Sequence, residues 1–400
     1  MSDIDFNENY DIVGITSNTP QAPRAYEIAD KFRGNGTKVV MGGVHPSALP
    51  DEAKQHADSI VLGEGEESWP KLLNDFENEG KINSFYRSDL IKPELIPSPD
   101  RTSLNNFNLT LRLQATRGCP NNCEFCSLHI IEGSKLRMRP IDNVIDEIRS
   151  YKGKWITFVD NSLTICPNYS KLLFKKMQGL NKKFACFGNI NVLGKDEELL
   201  KLAQKAGCIA WEVGLESVSQ KSLNKAGKKS NKVSEYKKAI RKVKEYDSAV
   251  VGSFVFGFDE DTLDIFDQTL DAVYELGLDS AGFNILTPYP GTRLYYRLEN
   301  EGRILTKDWS KYDLGHVVFK PNKMSAKELF EGTKKIVKSV YNPLNRLKLN
   351  IKSLRLGFSP YLGVSVRNFS NVDFYGKTYF KNHKSRKLTN PNKLVSTIGR

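Results

Sequence analysis

Apolar and polar positions alternate with different rhythms along the chain. Over residues 1–85 three short apolar runs, DIVGITS, TKVVMGG and DSIVLGEGE, each end in turn-forming residues. Uninterrupted apolar runs of this length, bounded by turns, are what buried parallel strands present. The spacing predicts a helix between the first two runs, from about Pro23 to Arg33, and another after the third, from Ser68 to Asn78. This alternation predicts a small Rossmann-like parallel α/β unit with right-handed crossovers. Residues 86–108 are rich in Pro, Ser and Asn and predict a linker.

From residue 109 the alternation resumes with longer helical stretches. LTLRLQAT, WITFVD, FACFGNIN, IAWEVGLES, AVVGSFVFGF and SAGFNILTPYP read as six strands. Amphipathic segments such as NVIDEIRSY, DEELLKLAQKAG and DIFDQTLDAVYELG separate them, and Gly207 and Gly277 stand where helix C-terminal caps belong. Residues 109–320 therefore predict a partial (β/α)6 TIM-like barrel, with its chemistry at the C-terminal ends of the strands. Residues 321–400 predict a helix, MSAKELFEGTKKIVKSVYN, followed by a basic extension.

Composition narrows the function classes. With 39% hydrophobic and 26% charged residues, the 400-residue chain is that of a folded protein rather than a disordered one. No apolar run reaches bilayer length, and the polar, acidic start MSDIDFNENYD lacks the features of a secretory signal, so a cytoplasmic location is expected. The net charge of +12 is uneven: residues 351–400 hold ten Lys or Arg against one acid, Asp373. Such a tail, with its interspersed aromatics, suits peripheral contact with an anionic membrane surface. No nucleic-acid partner is expected.

The candidate chemistry lies in QATRGCPNNCEFCSLHI, directly after the first barrel strand. Cys119, Cys123 and Cys126 are spaced so that three thiolates converge from one tight loop. Three cysteines on a four-iron cube leave one iron open to a small molecule. A zinc site usually takes four ligands; the second Cys or His pair is missing, and His129 as a fourth ligand would crowd the loop. The competing reading is a non-catalytic, zinc-stabilised protein that binds RNA or an anionic membrane surface through the basic tail. Cys166, Cys186 and Cys208 read as small core residues.

The loop resembles the CxxxCxxC signature of the radical S-adenosylmethionine (SAM) superfamily, with Phe125 at its aromatic position, which by that resemblance contacts SAM. The resemblance implies a 4Fe–4S cluster on the three cysteines. It also implies reductive cleavage of SAM to a 5′-deoxyadenosyl radical, hydrogen abstraction from a substrate the sequence does not name, and a reductase, flavodoxin or ferredoxin as electron donor. By the same resemblance, polar groups at the other strand ends contact SAM: Asp160 and Asn161, Asn189, Glu216 and Ser217, Gly257 and Leu286. TPYPGTRLYYRLENEGRI is similar to the corresponding segment in the cobalamin-associated branch of the family. GGVHPSALPDEA and LGEGEESWPKLL resemble the second half of that branch's cobalamin-binding domain. Gly42, Gly43, His45, Gly63 and Glu64 are then the candidate cobalamin-edge residues, and methyl transfer is the implied further reaction. Only three of about five expected strands are read here, so the cobalamin domain is expected to be truncated.

Overall fold

The computed structural model describes residues 4–101, 110–354, 357, 363–365, 367, 368 and 371. The first sheet comprises β1 Ile12–Thr16, β2 Lys38–Gly42, β3 Ser59–Leu62 and β4 Phe85–Arg87, hydrogen-bonded in that order and all parallel. Side chains alternate across it. Val39, Met41 and Ile60 pack on helix Ala22–Gly34 through Ala25, Ala29 and Phe32. Val40 and Val61 face Leu72 of helix Ser68–Glu79. The unit is thus a three-layer sandwich, as buried parallel strands require.

β4 falls at the start of the stretch that composition assigned to a linker. Its pattern is exposed, buried, exposed, and only Tyr86 enters the core, where its hydroxyl donates to Asp75 Oδ2 at 2.7 Å. One buried side chain in three residues leaves no apolar run to detect. The sheet accordingly has four strands where the sequence predicted three.

The second sheet contains β5 Thr110–Leu113, β8 Trp155–Phe158, β9 Lys183–Gly188, β10 Cys208–Glu216, β11 Ala249–Phe256 and β12 Ser280–Ile285. All pairings are parallel and follow chain order, with β5 and β12 at the two edges. This is the predicted partial barrel of six units. A two-residue antiparallel hairpin, β6 Thr116–Arg117 and β7 Arg137–Met138, brackets the cysteine loop between β5 and β8. Along β10 the odd positions Trp211, Val213 and Leu215 are buried in the large core, while Glu212, Gly214 and Glu216 line an interior cavity. Helix Ala326–Tyr341 starts at a capping box formed by Ser325 and Glu328 and joins the same core through Leu329, Ile336 and Val340. No helix among the described residues is long and apolar enough to cross a membrane.

Polar contacts fasten the two sheets together. Glu52, from the first unit, accepts from Trp309 Nε1 at 2.9 Å and from Tyr26 Oη at 3.0 Å. Glu64 is paired with Arg137 and Arg117 of the hairpin. These contacts set the C-terminal edge of the first sheet against the cysteine loop.

Candidate active site

The three cysteine thiols line one cavity of about 730 Å³ above β8–β10, and each is half-buried. The loop is pinned by its backbone: Glu124 N donates to Ala226 O at 3.0 Å and Cys126 N to Cys123 O at 3.3 Å. Glu124's carboxylate is held by Arg297, whose Nη2 lies 2.9 Å away. Phe125 lines the cavity and packs on Phe258 at 5.9 Å between ring centres. His129 Nε2 sits 2.8 Å from the Cys119 carbonyl, so that nitrogen is engaged with the backbone rather than turned to the thiols.

Lys228 reaches the cavity from the loop after helix Gln220–Lys225 and pairs with Glu216 Oε1 at 3.0 Å. Burial pushes the Cys123 thiol up to about 11; the Lys228 charge opposes this, and Cys126, Glu216 and Cys119 add to it. Burial likewise raises Cys126. Burial disfavours the Lys228 ammonium, yet Glu216 and the neighbouring thiols hold its proton more firmly than usual. Three adjacent thiols beside one buried cation suit a ligand that displaces their protons and needs part of its negative charge offset. Among the described residues no three His, Cys, Asp or Glu side chains are gathered tightly enough for a single metal ion. A donor set of three thiols on one wall of an open cavity fits a cluster with one free iron.

Four of the predicted SAM residues line this cavity: Phe125, Asn161, Asn189 and Glu216. Asn161 donates to Glu132 Oε2 at 2.7 Å. Asn189 Oδ1 caps a short helix by accepting from Asn191 N and Val192 N, and its Nδ2 donates to Asn231. Glu216 has φ +64 after a register shift in β10, a left-handed conformation that a non-glycine residue adopts at a cost and that aims its carboxylate at Lys228.

The other four do not reach the cavity. Asp160 is 1% exposed, and its carboxylate accepts from Ala115 N, Thr116 N and Thr116 Oγ1, which fixes the start of the cysteine loop instead of a ligand. Ser217 is buried and accepts from Ser219 N. Gly257 has φ +105, and an added Cβ would lie 2.8 Å from Leu329 Cδ2 of the helix Ala326–Tyr341. Leu286 is buried and donates its N–H to Phe256 O.

A second cavity, about 650 Å³, opens at the C-terminal ends of β1–β3. Gly42, Gly43, Gly63 and Glu64 line it, with Trp69 on the same side and Gln114, Arg117, Ile131 and Glu132 from the barrel side. At Gly63 an added Cβ would meet no atom within 4 Å. A glycine edge facing open space at the carboxyl ends of parallel strands fits a large flat ligand. His45 is the exception among the candidates: it is 0% exposed, packed edge-on to Trp309, with Nε2 3.3 Å from Glu52. It is a core histidine and does not face this cavity.

The sequence reading missed two residues. Glu132 lines both cavities and accepts from Gly118 N at 2.8 Å, Gln114 Nε2 at 3.0 Å and Asn161. Lys228 is one of many lysines. Neither has a sequence signal, because only the fold brings their partners to them.

Comparison with known proteins gives the same picture. Family models match the radical SAM superfamily over residues 113–273, the B12 binding domain over residues 5–73, and a domain of unknown function, DUF4070, over residues 292–357. The bacteriochlorophyllide d C-12(1)-methyltransferase of Chlorobaculum tepidum is 33% identical over 345 residues, covering 83% of this chain and 75% of that protein. The bacteriochlorophyllide d C-8(2)-methyltransferase of the same organism is 31% identical, covering 92% and 87%. Among solved structures, the radical SAM methyltransferase TsrM from Kitasatospora setae, with cobalamin and a [4Fe-4S] cluster bound, shares the fold with a TM-score of 0.69 at 16% identity, covering 92% of this chain and 90% of that one.

Proposed function

The chain belongs to the radical SAM superfamily, in the group that carries a B12 binding domain, and from that premise we propose that it is a cobalamin-dependent radical methyltransferase acting on a carbon of an organic substrate. One observation carries the proposal: the two cavities meet at the cysteine loop, where Ile131 and Glu132 line both. A methyl donor in one cavity and a hydrogen-abstracting centre in the other would then work across a single shared wall. The methyltransferase activity named for both Chlorobaculum relatives supports this reading.

When bound, the cluster and SAM supply a 5′-deoxyadenosyl radical and the corrinoid supplies the methyl group; the protein contributes binding, orientation and exclusion of side reactions. In this scheme Cys119, Cys123 and Cys126 hold the cluster. Lys228 offsets negative charge beside it. Asn161 and Glu216 face the same cavity with polar atoms suited to SAM. Gly42, Gly43 and Gly63 leave the edge of the first sheet open to the corrinoid. Glu132 holds the loop through Gly118 N, so the shared wall stays in register with both ligands. An external flavodoxin, ferredoxin or reductase delivers the electron. The six free thiols suit the reducing cytoplasm. The expected membrane contact falls on the basic tail of residues 351–400, which apart from 351–354, 357, 363–365, 367, 368 and 371 lies outside the described residues.

Anaerobic reconstitution with iron, sulfide and hydroxocobalamin tests the proposal. The expected result is about four irons and four sulfides per chain, corrinoid retained through gel filtration, and 5′-deoxyadenosine released on adding dithionite and SAM. A fully loaded protein that never forms 5′-deoxyadenosine, or that keeps no corrinoid, overturns it.

A further inference from the structure

The floor of the large cavity carries an ion pair that the cofactors leave unexplained. Glu212 faces the interior from the middle of β10, four positions before Glu216. At about 3.3 Å per residue it lies roughly 13 Å below the rim where Glu216 meets Lys228. Arg367, from the C-terminal segment, also lines the cavity, and its Nη1 donates to Glu212 Oε1.

The segment carrying Arg367 is anchored from beneath the sheet. Val364 packs on Ala249, the first residue of β11, and Ala210, near the start of β10. Asn368 Nδ2 donates to Asn350 Oδ1 at 2.8 Å, and Asn371 Nδ2 to Tyr341 Oη at 2.8 Å. The described neighbours of Arg367 in the chain, Val364, Asn368 and Asn371, are thus each held against the barrel.

The guanidinium is underused. It has five N–H donors. Nη1 is given to Glu212, while Nε is buried without an acceptor among the described residues. A pair that served only to tie down the segment would be expected to be closed off and satisfied. This one stands on the cavity wall, with its side chains 36% and 24% exposed.

We propose that Arg367 receives a carboxylate of the substrate at the cavity floor, and that Glu212 is the counter-ion that holds the guanidinium in place until the substrate arrives. The substrate class is then an apolar body with a carboxylate at one end, the body filling the space between Phe187 and Val251 and the far end reaching the rim. Arg suits this role because its planar fork matches a carboxylate in two-point contact. The inference rests on the proposed function, which puts the hydrogen-abstracting centre in this cavity and therefore the substrate beside it.

Fluorescence titration of the reconstituted holoenzyme with 1-pyrenebutyrate, its methyl ester and 1-pyrenebutylamine tests it. The wild type binds the acid more tightly than the ester. Arg367→Gln weakens the acid by about ten-fold or more, the scale of one charge-assisted contact, and leaves the ester where it was. Arg367→Lys, with an unchanged melting temperature, falls between the two, and Glu212→Gln tightens the acid. Equal affinity for acid and ester in the wild type, or an acid preference that survives Arg367→Gln, overturns the proposal. Tightest binding of the amine, lost in Glu212→Gln, would make Glu212 the receptor and overturn it as well. The probes require no turnover. Failure of the acid preference therefore counts against Arg367 alone, and failure to release 5′-deoxyadenosine counts against the proposed reaction.

Discussion

Glu64 and Arg137 form a two-point ion pair across the junction of the two sheets, with Nη1 2.8 Å from Oε2 and Nη2 2.7 Å from Oε1. Both side chains are more than nine-tenths buried. Ile91 N and Arg117 Nη1 also donate to this carboxylate. The pair ties Glu64, on the edge of the second cavity, to the hairpin that brackets the cysteines.

Glu64→Gln keeps the volume and removes the charge, leaving Arg137 and Arg117 with a weaker partner. Breaking one side of a buried pair costs about 3–5 kcal/mol; because Gln retains an acceptor oxygen, we expect about 3 kcal/mol, read as a lower urea midpoint. Corrinoid retention should fall with it, since the cavity edge loses its tie to the barrel. An unchanged midpoint would show that the pair adds nothing to the junction.

The pH dependence of stability has two opposed parts. Burial pushes Asp160 up to about 6 despite its hydrogen bonds from Thr116 and Ala115, and burial does the same to Asp261 despite Ser222 and the Gly257 and Phe258 amides. A carboxyl whose folded value is raised binds more protons folded than unfolded in the window between the two values. Stability from these two groups therefore rises as pH falls from about 7 toward 4. For Glu64, burial raises the value, but the Arg137 and Ile91 hydrogen bonds outweigh it and the net shift is downward. Its contribution is full above the ordinary Glu range and is lost as pH falls through the lowered value. Urea midpoints of the metal-free protein should thus be higher near pH 5.5 than at pH 8 and drop again at pH 3.5. Asp160→Asn should flatten the rise between pH 8 and 5.5.

The sequence made legible what is local. Six apolar runs became six parallel strands in chain order, and the cysteine loop lies where the first run ends. Gly207 caps its helix with φ +100. Features that depend on distant partners were not legible. Asp160 sits at a strand end, as a ligand-binding acid would, but the backbone of Ala115 and Thr116 claims its oxygens. His45 stands in a glycine-rich turn, yet Tyr26 and Trp309 close over it. Gly257 combines φ +105 with a close approach of Leu329, more than seventy positions later. In each case the contacts that hold the residue come from elements that only the fold brings to it.

Lys228 offers a sharper test of the site. Removing its charge by Lys228→Met leaves the Glu216 carboxylate, 12% exposed, beside three thiols with no cation to balance it. Cluster loading should fall, and the midpoint potential of what loads should move negative by tens of millivolts, about 59 mV for each ~1.4 kcal/mol in a one-electron couple. Lys228→Arg, which keeps the charge, should restore most of the loading. Anaerobic iron quantitation and redox titration read both, and an unshifted potential in Lys228→Met would remove Lys228 from the site.

Gly43 and Gly63 separate fold from ligand in the second cavity. Both have positive φ, +93 and +76, where a side chain is strained by roughly 1–2 kcal/mol. At Gly43 a Cβ would also lie 2.6 Å from Thr16 Oγ1 and 2.9 Å from Ser17 O, so Gly43→Ala distorts the strand end and should unfold the first unit readily. At Gly63 the new methyl meets no protein atom and enters the space the corrinoid is proposed to fill. Gly63→Ala should therefore melt within a few degrees of wild type, yet bind hydroxocobalamin about ten-fold more weakly, the equivalent of ~1.4 kcal/mol of overpacking. If Gly63→Ala binds corrinoid as wild type does, the glycine edge is not the corrinoid face, and the second cavity loses its assignment while the cysteine loop keeps its own.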